Sequence, residues 1–144
     1  MHIPLHQITP QTLKLAIVVG NPRPKCRTLK VAETLVEKLF GPASQGADII
    51  DLADYWDEVL SWPSEKMDAL NARVAVSDVV IFASPTYKAT YTGLLKVFLD
   101  RYGANRLSGV IAIPLLPAPI KSTPWAAKLC HPGRQRTCRS RVRT

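Results

Sequence analysis

The fold of this chain is decided by residues 13–42, which read LKLAIVVGNPRPKCRTLKVAETLVEKLFGP. Residues 13–19 end in a nearly continuous apolar run, which is typical of a strand buried on both faces of a parallel sheet. Two prolines place residues 21–27 in a loop. Thr28 is the predicted N-cap of a helix whose apolar residues recur at helical spacing until a Gly-Pro pair ends it. A strand, a tight loop and a helix in this order open a βαβ unit.

The same alternation of strands and helices continues along the chain. Apolar, β-branched runs predict strands at residues 47–52, 79–83 and 110–115. Apolar positions at helical spacing predict helices at residues 64–77 and 94–101. Strands that alternate with helices indicate an α/β protein with a doubly wound parallel sheet and right-handed crossovers.

Length and composition limit the class of protein. The chain has 144 residues, 47% of them apolar and 21% charged, which indicates one globular domain rather than a disordered chain. No apolar run approaches the roughly 18–20 residues that a membrane span requires, so no membrane association is expected. The polar first residues do not resemble a secretory signal, and three cysteines are an odd number. Reduced thiols and a cytoplasmic location are therefore expected.

The positive charge of the chain is concentrated at one end. Residues 1–117 carry twelve Lys or Arg and all eleven Asp or Glu, a net charge of +1. Residues 118–144 carry seven Lys or Arg and no acid, a net charge of +7. This stretch lacks the interleaved aromatic residues of a base-stacking surface, so nucleic acid is not the expected partner. We predict a leader at residues 1–12, a domain at 13–115 and an irregular, basic, Pro/Arg-rich tail at 116–144.

The loop after the first predicted strand has the composition of an anion site. Arg23, Lys25 and Arg27 supply three cations at a helix N-terminus, where free N–H groups and the helix dipole favour an anion. Asn21 and Thr28 can hydrogen-bond phosphate oxygens. A solvated basic turn is the alternative. The loop has neither the Walker nor the dinucleotide glycine pattern. Asn21 stands where a tyrosine phosphatase would need its thiolate relative to Arg27, so that chemistry is excluded.

Two motifs resemble one known family. Residues 20–23, Gly-Asn-Pro-Arg, together with residues 27–29, resemble the Gly-Ser-Pro-Arg loop of NAD(P)H-dependent FMN reductases. Residues 84–96, SPTYKATYTGLLK, followed by FLD at 98–100, are similar to the second motif of that family. They are most similar to the branch that supplies reduced flavin to two-component monooxygenases. The resemblance covers residues 13–115 and implies a flavodoxin-like, three-layer α/β/α fold.

The resemblance implies which residues bind the cofactor. The FMN phosphate would lie in the first loop, at Asn21, Arg23, Cys26, Arg27 and Thr28. Cys26 departs from the serine that is usual in the family, and a thiol is a poorer hydrogen-bond partner than a hydroxyl. The isoalloxazine ring would lie along the second motif, at Pro85, Thr86, Tyr87 and Lys88. Tyr91 and Thr92 would belong to the flavin or dimer region. A surface position for Tyr87, packed on the following helix, remains the alternative.

The resemblance also implies an activity. A hydride would pass from NADPH or NADH to FMN without any acid or base from the protein, since the cofactors carry the reaction. Reduced FMN would serve a flavin-dependent monooxygenase or another acceptor, and a homodimer or homotetramer is expected. Two alternatives remain open, a non-enzymatic flavin-binding electron carrier and an inactive, truncated reductase fragment.

The end of the chain does not follow the family pattern. The family continues with a glycine-rich loop, a helix and a last strand, and residues 116–144 show no such pattern. The charge jump and the loss of periodicity predict a frame-shifted or divergent terminus. The cysteines and the histidine of this stretch lack the paired spacing of zinc ligands, so no metal is expected.

Three further features of the sequence have expectations of their own. Trp56 and Trp62 are expected to cover the core. Gly93 is expected to allow a close approach of its helix to the cofactor or to a partner subunit. A solvated acidic edge is predicted at Asp51, Asp54 and Asp57.

Overall fold

The computed structural model describes residues 13–117. The predicted leader and all but the first two residues of the predicted tail lie outside the described residues. The strands are β1 (Leu15–Val19), β2 (Asp48–Asp51), β3 (Val79–Ala83) and β4 (Ile111–Leu115). The helices are α1 (Arg27–Phe40), α2 (Glu65–Ala75) and α3 (Gly93–Leu99), with short 3-10 helices at Gly41–Gly46 and Leu52–Tyr55. Within the part of the chain described here, no helix is both long and apolar enough to span a bilayer.

The four strands form one parallel sheet in the order β2-β1-β3-β4. From β1 the chain moves outward to β2 and then crosses back to β3, so the direction of winding reverses between β1 and β3. Val19 pairs with Asp51 on one side and with Ala83 on the other, which brings three strand ends to one level. The doubly wound, flavodoxin-like sheet that we predicted is confirmed. Ligands of such sheets bind at the carboxyl edge beside the reversal.

Helices cover both faces of the sheet. Side chains alternate between the faces along each strand. Ile17 and Ile81 point to the face where Ala32 and Val36 of α1 pack. The opposite face carries a larger cluster in which α2 and α3 supply Met67, Leu70, Val74, Leu95 and Phe98. The resulting α/β/α arrangement places the core on both sides of β1 and β3, whose residues are all buried.

The predicted N-cap of α1 is wrong. Cys26, not Thr28, occupies the cap position, and its side chain makes no capping hydrogen bond. Thr28 is buried in the first turn because its hydroxyl accepts a hydrogen bond from Asn21 Nδ2 at 3.2 Å. By contrast, α2 and α3 are capped by hydroxyl groups, those of Ser64 and Thr92.

The predicted positions of the two tryptophans are also wrong. Trp56 is 58% exposed and Trp62 is 69% exposed, so neither covers the core. Leu52 and Val59 fill that space and are almost completely buried. Trp62 instead lies beneath Arg101, whose guanidinium carbon is 4.6 Å from the centre of the indole ring.

The predicted acidic edge holds for two of its three residues. Asp54 and Asp57 are exposed, but Asp51 is only 7% exposed and belongs to the interior. Its carboxylate lies at the end of β2, where it accepts from the backbone N–H groups of Lys25, in the loop after β1, and of Ala53, in the 3-10 helix after β2. Burial of this charge is possible because those N–H groups replace water.

Candidate functional site

Two loops meet at the carboxyl edge of the sheet, where the winding reverses. The first loop comprises residues 20–26 after β1, and the second comprises residues 84–92 after β3. The N–H of Gly20 donates to the carbonyl of Ala83 at 2.8 Å. The hydroxyl of Thr92 donates to the carbonyl of Gly20. Gly20, at the beginning of the first loop, is therefore bonded both to the end of β3 and to the last residue of the second loop.

Gly20 is a glycine because α3 lies directly against it. A Cβ atom at this position would stand 2.5 Å from Cβ of Leu95 and 3.2 Å from Oγ1 of Thr92. A Cβ at Gly93 would meet no described atom within 4 Å. The close contact at Gly20 is therefore one between the first loop and α3, whereas the approach expected at Gly93 concerns a cofactor or a partner subunit and stays a prediction.

Asn21 organises the inside of the first loop. Its side chain is 8% exposed, its Oδ1 accepts from the N–H of Arg23 at 2.9 Å, and its Nδ2 donates to Thr28. The side chains of Arg23 and Arg27 are left exposed, and Cys26 is half-buried. The side chains of Arg23 and Arg27 therefore project from a loop whose inner side is hydrogen-bonded to the buried Asn21 amide.

Asp51 fixes the far side of the first loop. Its Oδ2 accepts from the N–H of Lys25 at 3.0 Å, and its Oδ1 accepts from the N–H of Ala53 at 3.2 Å. Lys25 has a φ of 50°, a left-handed conformation that non-glycine residues seldom adopt without such support. Sequence reasoning missed this role. The available signal was an acidic residue at the end of a strand predicted to neighbour the first.

The first turn of α1 is open to an anion. The first N–H groups of a helix have no partner within the helix, and Cys26 does not cap them. The turn contains no acidic residue. Exposed Arg23, Lys25 and Arg27 add positive charge beside it. Donors and cations together suit a phosphate group, since an anion at this place also interacts favourably with the helix dipole.

The second loop contains a tight hairpin. Tyr87 and Thr90 exchange two backbone hydrogen bonds, of 2.9 and 3.1 Å, across the turn. The two central residues, Lys88 and Ala89, have φ values of 51° and 67°. Positive values at both positions are characteristic of a type I′ turn, which usually contains asparagine and glycine. The turn presents Tyr87, which is 52% exposed and absent from both core clusters.

Two buried hydroxyls, those of Ser84 and Thr92, anchor the second loop. Sequence reasoning assigned only Thr92 to the flavin or dimer region and did not predict an anchoring role for either residue. Ser84 Oγ accepts from the N–H of Thr92 at 2.9 Å. Thr92 Oγ1 accepts from the N–H of Leu95 at 3.3 Å and so caps α3. The spacing of Thr92 ahead of a helix was the available signal. Both hydroxyls are positioning groups, since neither side chain is accessible to a ligand.

The remaining predicted site residues lie on the side of the second loop nearer β4. Pro85 and Thr86 are half-buried, and Thr86 Oγ1 donates to the carbonyl of Leu116 at 3.4 Å. Tyr91 faces a different space from Tyr87. It lines an apolar cavity of about 270 Å³ between α3 and β4, together with Phe82, Leu95, Leu99, Ala112, Pro114 and Leu116.

Comparison with known proteins identifies the family. Residues 13–128 match the family described as NADPH-dependent FMN reductase. The chain belongs to this family. The match to the FMN reductase family extends past residue 115, where the sequence motifs had placed the end of the resemblance.

Relatives within and around the FMN reductase family agree with this. The chain is 28% identical over 110 residues to "FMN reductase (NADPH)" of Escherichia coli K12, covering 72% of this chain and 55% of that protein. It is 30% identical over 107 residues to "Quinone reductase" of Pseudomonas putida KT2440, covering 69% of this chain and 56% of the relative. The chain thus spans just over half the length of the curated relatives it matches.

Solved structures show the same fold. The apo form of an NADH:FMN oxidoreductase superposes with a TM-score of 0.65 at 28% identity, covering 74% of this chain and 58% of that one. The Trp repressor binding protein of Bacillus subtilis superposes with a TM-score of 0.54 at 21% identity, covering 75% and 68%. The second likeness concerns the fold alone.

The first loop of this FMN reductase family member fits the phosphate of FMN. The open first turn of α1 supplies unpaired backbone donors, and Arg23 and Arg27 supply charge at its side. The one buried carboxylate nearby, that of Asp51, is already engaged by two backbone N–H groups. Cys26 has a thiol where a serine hydroxyl is usual in the family, so the first loop offers the phosphate one strong hydrogen-bond donor fewer.

Proposed function

We propose that this chain binds FMN and reduces it with NADPH or NADH. The observation that carries the proposal is the uncapped, acid-free first turn of α1, flanked by exposed arginines at the winding reversal of the sheet. Arg23, Arg27 and the N–H groups of the turn would bind the phosphate, with Asn21 and Thr28 shaping the loop beneath it. Cys26 would lie at the phosphate as a weak partner.

The isoalloxazine ring would lie along the second loop. Backbone groups of Pro85, Thr86 and Lys88 would contact its polar edge, and Tyr87 would offer an aromatic face. Tyr91 would contribute from the β4 side, in the flavin region or at a subunit contact. Ser84 and Thr92 support this role, since Ser84 closes the second loop by accepting from the N–H of Thr92, and Thr92 bonds the second loop to Gly20 of the first.

Bound FMN would supply the redox chemistry, accepting a hydride from the nicotinamide. The chain's own residues hold the cofactor and its reductant in place. Because the described loops are held by hydrogen bonds from Asp51, Asn21, Ser84 and Thr92, the phosphate anchor is preformed. A preformed site loses less entropy on binding, which favours affinity and correct orientation.

The acceptor of the electrons distinguishes two versions of this function. A flavin-dependent monooxygenase is the proposed partner, since the second motif resembles the branch that serves such enzymes. The Pseudomonas putida relative named "Quinone reductase" favours a quinone as a second candidate acceptor. We further propose a cytoplasmic location and a homodimer or homotetramer.

A flavin titration followed by reduction tests the proposal. Quenching of FMN fluorescence measures Kd, and anaerobic NADPH or NADH should then bleach the visible absorbance of the flavin. A chain that binds FMN but leaves it oxidised is an electron carrier. A chain that binds no flavin is an inactive fragment, and either result contradicts the proposal.

Matched variants separate the phosphate anchor from general electrostatics. Arg27→Gln should weaken FMN binding about 10-fold to 100-fold, since a hydrogen bond to a charged group contributes roughly 1.5–3 kcal/mol. Lys38→Gln removes the same charge from the last turn of α1 and should leave Kd unchanged. Riboflavin, which has no phosphate, should bind both variants and the unaltered chain alike.

A further inference from the structure

An exposed apolar surface lies on the opposite side of α3 from the Tyr91 cavity. Its main residues, here called the aromatic surface, are Trp56, Leu60 and Trp62, exposed by 58%, 75% and 69%. Beside them is an apolar cavity of about 170 Å³, lined by Trp56, Val59, Leu60, Gly93, Leu94 and Val97. Contiguous exposed apolar groups of this kind mark interaction sites.

The aromatic surface already binds one guanidinium group. Arg101 lies over the ring of Trp62 at 4.6 Å, and its Nη2 donates to the carbonyls of Val59, at 3.1 Å, and Ser61. An indole face and two backbone carbonyls thus already hold one arginine of the chain itself, which shows that the chemistry of this surface suits guanidinium groups. Trp62 is still 69% exposed despite this contact.

The charge around the aromatic surface is net negative. Residues 54–68 contain five acids and one basic residue, Lys66, and Arg101 adds one further positive charge. Lys66 is paired with Glu58. Four exposed carboxylates form no ion pair with residues 13–117, namely those of Asp54, Asp57, Glu65 and Asp68. The surface thus suits a segment that is both cationic and able to stack on indole rings.

The same chain contains such a segment. We propose that residues 134–144, which include five arginines and no acid, dock on the aromatic surface of their own molecule. Guanidinium groups match both the indole faces and the surrounding carboxylates. This inference does not depend on flavin binding.

The chain between β4 and the proposed docking segment is long enough to reach the aromatic surface. β2 and β4 are separated by three strand spacings, or about 14 Å at roughly 4.8 Å each. The strands are parallel, so the loop after β2 and the chain after β4 leave from the same edge of the sheet. The sixteen residues 118–133 can span up to about 50 Å at roughly 3.3 Å per residue.

A disulfide trap in the full chain tests the docking. Cys138 lies within the proposed segment and serves as the native thiol, with Cys26→Ser and Cys130→Ser removing the other two. Leu60→Cys adds a thiol on the aromatic surface. Val76→Cys is the matched control, since Val76 is 65% exposed at the end of α2, beside the opposite edge of the sheet. Diamide oxidation and peptide mapping then measure the rate of intramolecular disulfide formation.

Docking predicts a rate at least about tenfold higher for Leu60→Cys than for Val76→Cys, because docking raises the effective concentration of Cys138 at the surface. The double substitution Asp54→Lys and Asp57→Lys should lower the rate of disulfide formation in Leu60→Cys to that of Val76→Cys. High salt should have the same effect. Arg139→Gln with Arg141→Gln should do the same while leaving residues 13–117 unaltered. Equal rates at both sites, or a disulfide that forms only between two molecules, would overturn the proposal.

Discussion

A side chain at Gly20 would collide with α3, since a Cβ atom there would stand 2.5 Å from Cβ of Leu95. Gly20→Ala should therefore destabilise the fold by about 1–3 kcal/mol, the range of overpacked cores. Urea unfolding measures this. Gly93→Ala, two residues before Leu95, meets no described atom and should stabilise α3 by about 0.5–1 kcal/mol. Equal effects of the two substitutions would contradict the packing at Gly20.

Loss of FMN affinity in Gly93→Ala, without loss of stability, would show that this glycine is needed for close approach of the cofactor. That result would confirm the expectation drawn from the sequence. The free energy of unfolding and the Kd for FMN are therefore both measured on Gly20→Ala and on Gly93→Ala.

Tyr102 has a buried hydroxyl with no hydrogen-bond partner among residues 13–117. Burial raises the pKa of Tyr102 above its ordinary value of 10.0. The unfolded chain therefore ionises first as pH rises past 10.0, and stability falls from there upward. Tyr102→Phe retains the edge-to-face contact with Phe98, whose ring centre lies at 5.8 Å, and removes the hydroxyl.

We expect Tyr102→Phe to raise the free energy of unfolding by about 1 kcal/mol at neutral pH, since it removes an unsatisfied buried polar group. Above pH 10.0 the advantage should grow. Urea unfolding at a series of alkaline pH values measures the slope. Tyr87→Phe, at an exposed tyrosine, is the control and should leave the slope unchanged. A hydroxyl that in fact has a partner would make Tyr102→Phe destabilising at neutral pH.

At the scale of elements, the hairpin of the second loop has a strained turn. Ala89 has a φ of 67°, where a left-handed conformation costs a non-glycine residue roughly 1–2 kcal/mol. Ala89→Gly should therefore stabilise the protein by about 1 kcal/mol, as measured by thermal or urea unfolding. Ala72→Gly, at an exposed position within α2, should cost about as much as Ala89→Gly gains.

Destabilisation by both glycine substitutions would contradict the turn geometry. If the strained turn also presents Tyr87 to the flavin, FMN affinity should stay within about twofold of the unaltered chain in Ala89→Gly.

The elements themselves were largely predictable, because apolar runs and helical spacing depend on local sequence. The strand at Val79–Ala83 was predicted to the residue, and the other strands to within two residues of their ends. The N-cap of α1 was predicted at the wrong residue, because Asn21, seven residues before Thr28, hydrogen-bonds to the Thr28 hydroxyl. The bond from Thr92 to Gly20 joins residues 72 positions apart, and local patterns contain no information about such contacts.

At the scale of the whole molecule, the proposed cofactor site is formed by loops that follow separate strands. β1 leads into the first loop, β3 into the second, and β2 ends in Asp51, which bonds to the first loop. A ligand that binds these loops should therefore stabilise the whole domain rather than one segment. β4, at the edge of the described sheet, also contacts the second loop, since the carbonyl of Leu115 accepts from the N–H of Ser84 at 3.0 Å and the carbonyl of Leu116, just after the strand, accepts from Thr86.

This coupling gives a prediction for Asp51, which we place as a positioning residue. FMN at about 100 times Kd should add roughly 2.7 kcal/mol to the free energy of unfolding. Asp51→Asn replaces an oxygen acceptor by an amide nitrogen, so it should release the N–H of Lys25 or Ala53 and loosen the phosphate anchor. At a fixed FMN concentration, we expect the FMN-dependent shift in Tm to fall.

The comparison with riboflavin decides whether Asp51 positions the anchor or merely supports the fold. A positioning role predicts that Asp51→Asn reduces the preference for FMN over riboflavin, because only FMN carries the phosphate. A purely structural role would lower the Tm of the free protein and weaken both flavins equally. Asp54→Asn, which changes an exposed carboxylate three residues further on, should alter neither the preference nor the Tm.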